Sequence, residues 1–195
     1  EPAGVLHAEA PRRDATKLGD RRRIGNCQVT LAWMDTMAGD HASAQRRCEE
    51  AIRLAREVGD RLNLAIAQNN LVDALRDLGR LDESGEAYAA AVETYRDLND
   101  LGPLMALLED VAILAVRRGD HDQAFTLVGA SDAVRTSLGS VRPPGAEAAL
   151  LEGLTDARLA LGEVTADRAR RQGSELSIDI AIARAIDVAR GAPPA

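Results

Sequence analysis

Apolar residues recur at steps of three and four along most of the chain, which is the spacing of one face of an α-helix. Residues 60–78 carry such a stripe at Leu64, Ala67, Leu71, Ala74, Leu75 and Leu78. Residues 41–57 carry another at Ala44, Cys48, Ala51 and Leu54. The pattern therefore predicts amphipathic helices, each about 17 residues long.

Gly-Asp pairs punctuate these stripes at intervals of twenty residues. They stand at Gly19-Asp20, Gly39-Asp40, Gly59-Asp60 and Gly119-Asp120, and the two remaining positions of the series hold Gly79-Arg80 and Asn99-Asp100. Glycine suits the left-handed residue just past a helix, and aspartate can cap the start of the next helix. Each pair therefore predicts the end of one helix and the beginning of another.

Successive helices alternate in character, so the chain repeats every forty residues, with two helices per unit. Corresponding positions form the columns Leu31, Leu71, Val111; Ala32, Val72, Ala112; Gly39, Gly79, Gly119; Ala44, Ser84, Ala124; Cys48, Tyr88, Val128; and Ala51, Ala91, Ser131. Helices joined by such short turns lie antiparallel, and stacked pairs can share one core. We therefore predict an all-α fold in which antiparallel helix hairpins of about 40 residues form an α-solenoid over residues 1–139.

The register stops after Gly139, where the sequence VRPPG marks a joint at residues 141–145. A further helix is predicted at about 144–161, and a last helix after Ser177, a good N-cap residue. Because a stack of repeats needs its ends covered, residues 140–195 are predicted to be capping helices.

The columns of the forty-residue register resemble the tetratricopeptide repeat, although that repeat is shorter and richer in aromatic residues. The resemblance implies that the first helices line a concave binding face, and that the amide of Asn70 can contact the backbone or carboxylate of a bound peptide. The residues it places on that face are Thr30, Trp33, Asn69, Asn70, Asp73, Glu109 and Asp110. The alternative is a solvated polar face without a dedicated ligand. The acidic residues of this face favour a basic or neutral peptide.

The C-terminal third, from Gly119 onward, resembles the end of actinobacterial LuxR-type transcriptional regulators and related proteins with adenylate-cyclase-like domains. The matching residues are Gly129, Arg135, Gly139, Pro143, Pro144, Leu161, Gly162, Gly173, Leu176 and Ser177. Such proteins join a nucleotide-binding ATPase to a long helical-repeat region. This chain has no phosphate-binding loop and not one Gly-Lys dipeptide, so the resemblance implies the repeat region alone.

Composition narrows the chemistry further. The net charge of −7 and an aromatic content of 2% disfavour direct binding to nucleic acid. The one basic cluster, Arg12 to Arg23, is best interpreted as a solvated helix end. Cys27 and Cys48 are expected to be ordinary buried thiols, and no run of apolar residues predicts a membrane span. No catalytic set, metal site or cofactor site emerges, so we expect a cytoplasmic protein that is not an enzyme.

The sequence thus favours a protein-interaction or signal-sensing module of a bacterial transcriptional regulator. Its expected partner is a protein or peptide, and the regulator's own ATPase region is one candidate. Two alternatives stay open at this point: a self-association module that forms a homodimer, and a domain that binds a small-molecule effector.

Overall fold

The computed structural model describes residues 6–98 and 101–191, with side chains from residue 17 onward except that of residue 101. Within these ranges the chain forms nine helices and no strand. The helices are α1 (Leu6–Met37), α2 (His41–Val58), α3 (Arg61–Asp77), α4 (Leu81–Leu98), α5 (Leu101–Arg118), α6 (His121–Leu138), α7 (Pro144–Leu161), α8 (Glu163–Ser174) and α9 (Ile178–Ala189). The all-α class is confirmed.

The first six helices pack in pairs, α1 with α2, α3 with α4 and α5 with α6. Each pair also contacts the next, through α2 and α3 and through α4 and α5. The short connections within the pairs make the two helices antiparallel hairpins. A regular solenoid of forty-residue repeats is the finer prediction, and it stays a prediction.

Glycines with positive φ end the helices where the sequence predicts it. Gly39, Gly59, Gly79, Gly119 and Gly139 have φ between +61° and +81°, a conformation that glycine adopts without a steric penalty. The carboxylate of Asp40 accepts a hydrogen bond from the Ser43 backbone N–H at 3.0 Å, and Asp60 accepts one from that of Asn63 at 3.2 Å. These two aspartates are therefore true N-caps.

The helix break predicted at Gly19-Asp20 is wrong, because α1 continues through both residues. A glycine inside a helix costs only about 1 kcal/mol relative to alanine, so a Gly-Asp pair alone does not force an end. Asp20 instead forms an ion pair with Arg23 one turn later on the same helix. The corresponding position at Asn99-Asp100 lies outside the described residues.

The largest hydrophobic core runs from α3 to α9 and contains the fully buried Tyr88 and Phe125. A second, smaller cluster contains Ala51 and Ile52 of α2 and Ala67 of α3. The α1–α2 end of the molecule is therefore held by fewer buried apolar side chains than the end formed by α4, α5 and α6.

Two of the three C-terminal helices begin where the sequence predicts them. Helix α7 occupies Pro144–Leu161, and α9 begins after Ser177, whose hydroxyl accepts a hydrogen bond from the Ile180 N–H. Helix α8 was not predicted. It packs against α6, while α9 packs against α4 and α5. The C-terminal helices contact the preceding ones directly. The placement of a domain boundary at residue 140 stays a prediction.

Helical glycines allow the C-terminal helices to approach very closely. A Cβ atom on Gly129 of α6 would overlap the backbone carbonyl of Arg170 on α8, and one on Gly173 of α8 would overlap that of Thr126 on α6. In the same way, a Cβ on Gly85 of α4 would overlap the carbonyl of Ala189 at the end of α9. The close approach of α8 to α6 and of α9 to α4 therefore depends on the absence of a side chain at these three glycines.

We predict that Gly129→Ala lowers the free energy of unfolding by about 2–3 kcal/mol, because the added methyl group forces α8 away from α6. The control is Gly19→Ala, a helical glycine of α1 with open space around its Cβ position. This control should be neutral or stabilise the chain by up to about 1 kcal/mol. Urea denaturation followed by circular dichroism measures both, and equal effects of the two substitutions would contradict the close packing.

Candidate functional site

The two predicted site residues of α1 are both exposed. The Thr30 hydroxyl donates a hydrogen bond to the backbone carbonyl of Asn26 at 3.2 Å, within its own helix. The Trp33 side chain is 58% exposed and is the one tryptophan of the chain. These two residues lie on a free surface rather than in an enclosed site.

The two asparagines of α3 are half-buried and differ in their bonding. The Asn70 side-chain amide donates a hydrogen bond to the Val29 carbonyl of α1 at 3.4 Å, so it links the first two hairpins. The Asn69 side-chain oxygen is buried without a hydrogen-bond partner in the described part of the chain. The tetratricopeptide resemblance assigns the Asn70 amide to a bound peptide, but this amide already donates a hydrogen bond within the chain.

Three predicted acids come together around a cavity of about 530 Å³ between α3, α5 and α7. Its lining includes Asp73 and Arg76 from α3, Glu109 and Asp110 from α5, and Glu152 from α7. Asp73 and Arg76 form an ion pair at 2.9 Å, with Arg76 one helical turn after Asp73. Asp73 and Asp110 are half-buried, whereas Glu152 is exposed.

Burial changes the acidity of the carboxyl groups in this cavity. Desolvation raises the pKa of Asp110 well above its usual range, and the nearby charge of Asp73 raises it further against the opposing effect of Arg76. The pKa of Asp73 is also raised by burial, and the Arg76 guanidinium moderates that rise. Tyr88 lies in the same charged surroundings, and burial raises the pKa of its hydroxyl. The two aspartates therefore hold their protons more strongly than exposed carboxyl groups do.

Glu109 is buried, with 7% of its surface exposed, and its carboxylate is bound by other side chains of the chain. Arg135 of α6 donates to it at 2.8 Å, and Arg142, in the connection before α7, donates at 2.9 Å. The Ser131 hydroxyl donates as well. Burial alone would raise the pKa of Glu109, but the hydrogen bonds from Arg142, Arg135 and Ser131 lower it. The carboxylate of Glu109 thus serves as a buried anion that binds Arg135 and Arg142 within the chain.

The same ion network holds the proline-marked connection in place. Arg142 also pairs with Asp132 of α6 at 2.9 Å and with Glu147 of α7. Asp132 in turn pairs with Arg170 of α8 at 2.6 Å. The network therefore joins α5, α6, α7 and α8, and it fixes the start of α7 beside the cavity.

Helix α7 lies over the face of α5 that the sequence analysis predicted to be open to a ligand. A Cβ on Gly153 of α7 would meet the terminal methyl group of Ile113 on α5. Ala146, Ala149 and Leu150 line the cavity from the α7 side. The sequence analysis did not identify these α7 residues, nor Arg76 of α3 and Arg117 of α5, as part of the site. The three-residue spacing of Asp73 and Arg76 could have indicated their ion pair on one face of α3. Nothing in the sequence indicated where α7 would pack.

The remaining candidate groups have structural roles or lie apart from the cavity. In the basic cluster, Arg21 pairs with Glu57 and Arg22 with Asp60 at 3.1 Å, which neutralises part of its charge. Cys48 is buried as expected, but the expectation for Cys27 is wrong, because it lies on an exposed face of α1. The described residues contain no group of three or more His, Cys, Asp or Glu that could hold a metal ion. Within those residues, no helix has the length and apolar character needed to cross a bilayer.

Comparison with known proteins gives no match: no family model, no curated protein and no solved structure is significantly similar to this chain. The resemblances drawn from the sequence pattern therefore stay predictions.

We predict that Glu109→Gln lowers the free energy of unfolding by about 3 kcal/mol at pH 7, because it leaves Arg135 and the buried Arg142 without their shared anion. Glu175→Gln, at an exposed residue just past α8, should have almost no effect. The pKa of Glu109 is lowered on folding, so its contribution is present above the unfolded pKa of about 4.3 and is lost as the pH falls through the folded value.

Chemical denaturation of both variants between pH 3 and pH 8 measures this contribution. The difference between wild type and Glu109→Gln should shrink in the acid range. A difference that stays constant across the whole range, or a Glu175→Gln effect as large as that of Glu109→Gln, would contradict the role of this network.

Proposed function

We propose that the chain is a non-enzymatic helical-repeat module that recognises a partner polypeptide, with the cavity between α3, α5 and α7 receiving a cationic side chain. The observation that carries this proposal is the pair of half-buried acids, Asp73 and Asp110, at an open cavity of about 530 Å³. The three antiparallel hairpins and the forty-residue register support a tetratricopeptide-like solenoid. The sequence resemblance supports a place in a cytoplasmic bacterial transcriptional regulator.

The balance of charges in the cavity favours a cation. Arg76 is already paired with Asp73 and with Asp77, and Arg117 is paired with Asp77 at 3.4 Å. Glu109 is bound by arginines of the network described above. Among the described lining residues, this leaves the carboxyl groups of Asp110 and Glu152 without an ion-pair partner. A guanidinium or ammonium group entering the cavity would supply the missing positive charge.

Binding of a cation is expected to release a proton. A positive charge beside Asp110 stabilises its ionised form, so the bound state has a lower pKa than the raised value of the free chain. Raising the pH deprotonates Asp110 before binding, so binding no longer includes the free-energy cost of removing its proton. Affinity for a cationic ligand should therefore increase with pH until Asp110 is ionised in the free chain, and then level off.

A small-molecule effector is the second candidate, and the cover provided by α7 is the observation that favours it. Ligand pockets for small molecules have volumes of about 300–1,000 Å³, a range that includes this cavity. A peptide needs an open path along the groove, whereas a small cation needs the cavity alone. The two candidates thus differ in how much of a ligand contributes to binding.

The test uses three probes on the full chain: a ten-residue peptide with a central arginine, the same peptide with glutamate in its place, and agmatine as a small cation. Isothermal titration calorimetry should detect the arginine peptide alone, with affinity that rises as the pH is raised through the titration of Asp110. Asp110→Asn should weaken it about tenfold, the usual cost of losing one charged hydrogen bond. Asp187→Asn, at an exposed residue of α9, is the matched control and should bind like wild type.

Other outcomes decide between the candidates. Agmatine binding as tight as that of the arginine peptide would replace the peptide proposal by the effector proposal. Equal binding of the arginine and glutamate peptides, or an Asp110→Asn variant that binds like wild type, would contradict recognition of a cation at this site.

A further inference from the structure

Four apolar positions recur in the first helix of each hairpin at intervals of forty residues. In α1 they are Ile24, Cys27, Leu31 and Met34; in α3 they are Leu64, Ala67, Leu71 and Ala74; and in α5 they are Leu104, Leu107, Val111 and Leu114. Their steps of three and four place each set on one side of its helix. We call these sets the α1, α3 and α5 stripes.

The α3 and α5 stripes are buried or half-buried, and the α3 stripe packs against the second helix of the preceding hairpin. In α3, Ala67 is fully buried in a cluster with Ala51 and Ile52 of α2, and Leu64 and Leu71 pack against that cluster. The α5 stripe is at most 2% exposed, in the core that also contains Ala91 and Val92 of α4. The stripe is therefore buried or half-buried in both hairpins that follow another described hairpin, and each of these hairpins contacts the second helix of the one before it.

The α1 stripe has the same apolar character but is exposed. Ile24 is 50% exposed, Leu31 38% and Met34 54%, and Cys27 is exposed as well. Apolar side chains grouped on one side of a helix form the kind of surface that marks an interaction site when another element can cover it. Since α2 packs against the α3 stripe and α4 contacts α5 in the same core as the α5 stripe, α2 and α4 indicate the chemistry of a helix that fits α1.

That helix carries a small residue followed by a β-branched one at its centre. The pair is Ala51-Ile52 in α2 and Ala91-Val92 in α4, and all four residues are buried. The alanine lets the two helices approach closely, while the branched neighbour fills the space beside it. An amphipathic helix with this pair is the complement that the chain itself uses twice.

A second copy of this chain does not offer such a helix at its other end. The corresponding pair in α6 is Ser131-Asp132, and both side chains are engaged in the ion network with Glu109, Arg142 and Arg170. Helix α8 covers α6 closely through Gly129. Head-to-tail stacking of identical chains would therefore place polar, already bonded groups against the α1 stripe.

We propose that the α1 stripe is a docking surface for the second helix of another helical hairpin, one that presents the Ala-Ile or Ala-Val pair. This inference rests on the forty-residue register and is independent of the cavity between α3, α5 and α7. It assigns the exposed Ile24, Leu31 and Met34 to an interface between hairpins.

The first test uses a fluorescently labelled synthetic peptide of residues 41–58, the α2 sequence, with the full chain. Fluorescence anisotropy should show saturable binding. Leu31→Glu in the chain should abolish this binding, because it places a charge in the stripe. Asn26→Glu, at an exposed residue of α1 outside the stripe, should leave it unchanged. A peptide carrying Ile52→Glu should not bind, and binding that survives Leu31→Glu would overturn the proposal.

A second test covers the case in which the free peptide is too weakly helical to bind. A copy of residues 41–58, with its cysteine replaced by alanine, is joined to the start of the chain through a flexible Gly-Ser linker. Such a tether gives an effective concentration on the order of millimolar, so a Kd of about 100 µM should slow the chemical modification of Cys27 about tenfold. The same tethered copy with Ile52→Glu should leave the rate unchanged. Equal rates in the two proteins would overturn the proposal.

Light scattering of the untethered chain tests whether a second copy of the chain covers the α1 stripe. A monomer at high concentration is the expected result. A dimer that Leu31→Glu dissociates would mean that a second copy covers the stripe, and it would overturn docking of another hairpin.

Discussion

The described part of the chain depends on burying one apolar stripe of each first helix against the second helix of the hairpin before it. The α3 stripe is covered in this way by α2, and the α5 stripe is buried in a core that it shares with Ala91 and Val92 of α4. Because each hairpin alone leaves its stripe exposed, the hairpins stabilise one another by contact between neighbours. The same constraint explains why the α1 stripe, which has no preceding hairpin among the described residues, stays exposed at Ile24, Leu31 and Met34.

The packing rule changes at α6, and the ion network marks the change. Where α2 and α4 have an alanine followed by a branched apolar residue, α6 has Ser131 and Asp132. These polar groups bind Glu109, Arg142 and Arg170 instead of another apolar stripe. The chain then turns at its prolines, and α7 crosses to the cavity side while α8 and α9 cover α6 and α4. The cavity beside Asp110 thus results from the way in which the register ends.

Local features of the fold could be predicted from the sequence because their causes are local. Glycine with positive φ ends α2 at Gly59, aspartate caps α3 at Asp60, and Ser177 begins α9. The break at Gly19 was predicted wrongly, since a single glycine costs less than ending a helix. Helix α8 was missed because it is short and rich in charged residues, and its buried face consists of the small residues Ala166, Ala169 and Gly173.

The candidate site could be predicted only in part, because it depends on contacts between distant segments. The sequence placed Asp73 and Asp110 on one face, and they do line one cavity. It did not indicate that Arg135 and Arg142 would bind Glu109, or that α7 would lie over Ile113. Charged partners brought from 26 and 33 residues away leave no periodic signal in the sequence. Such contacts are set by the fold as a whole.

The two cysteines offer the most direct measurement of the central claim, which is that the stripe is covered in α3 and α5 but free in α1. Cys27 belongs to the α1 stripe and is exposed, whereas Cys48 is buried in α2, where desolvation raises the pKa of its thiol to about 12. Reaction of the native chain with a thiol reagent, read by mass spectrometry, should modify Cys27 rapidly and Cys48 only after unfolding. A native chain in which Cys27 is protected, or in which both thiols react at the same rate, would contradict the account.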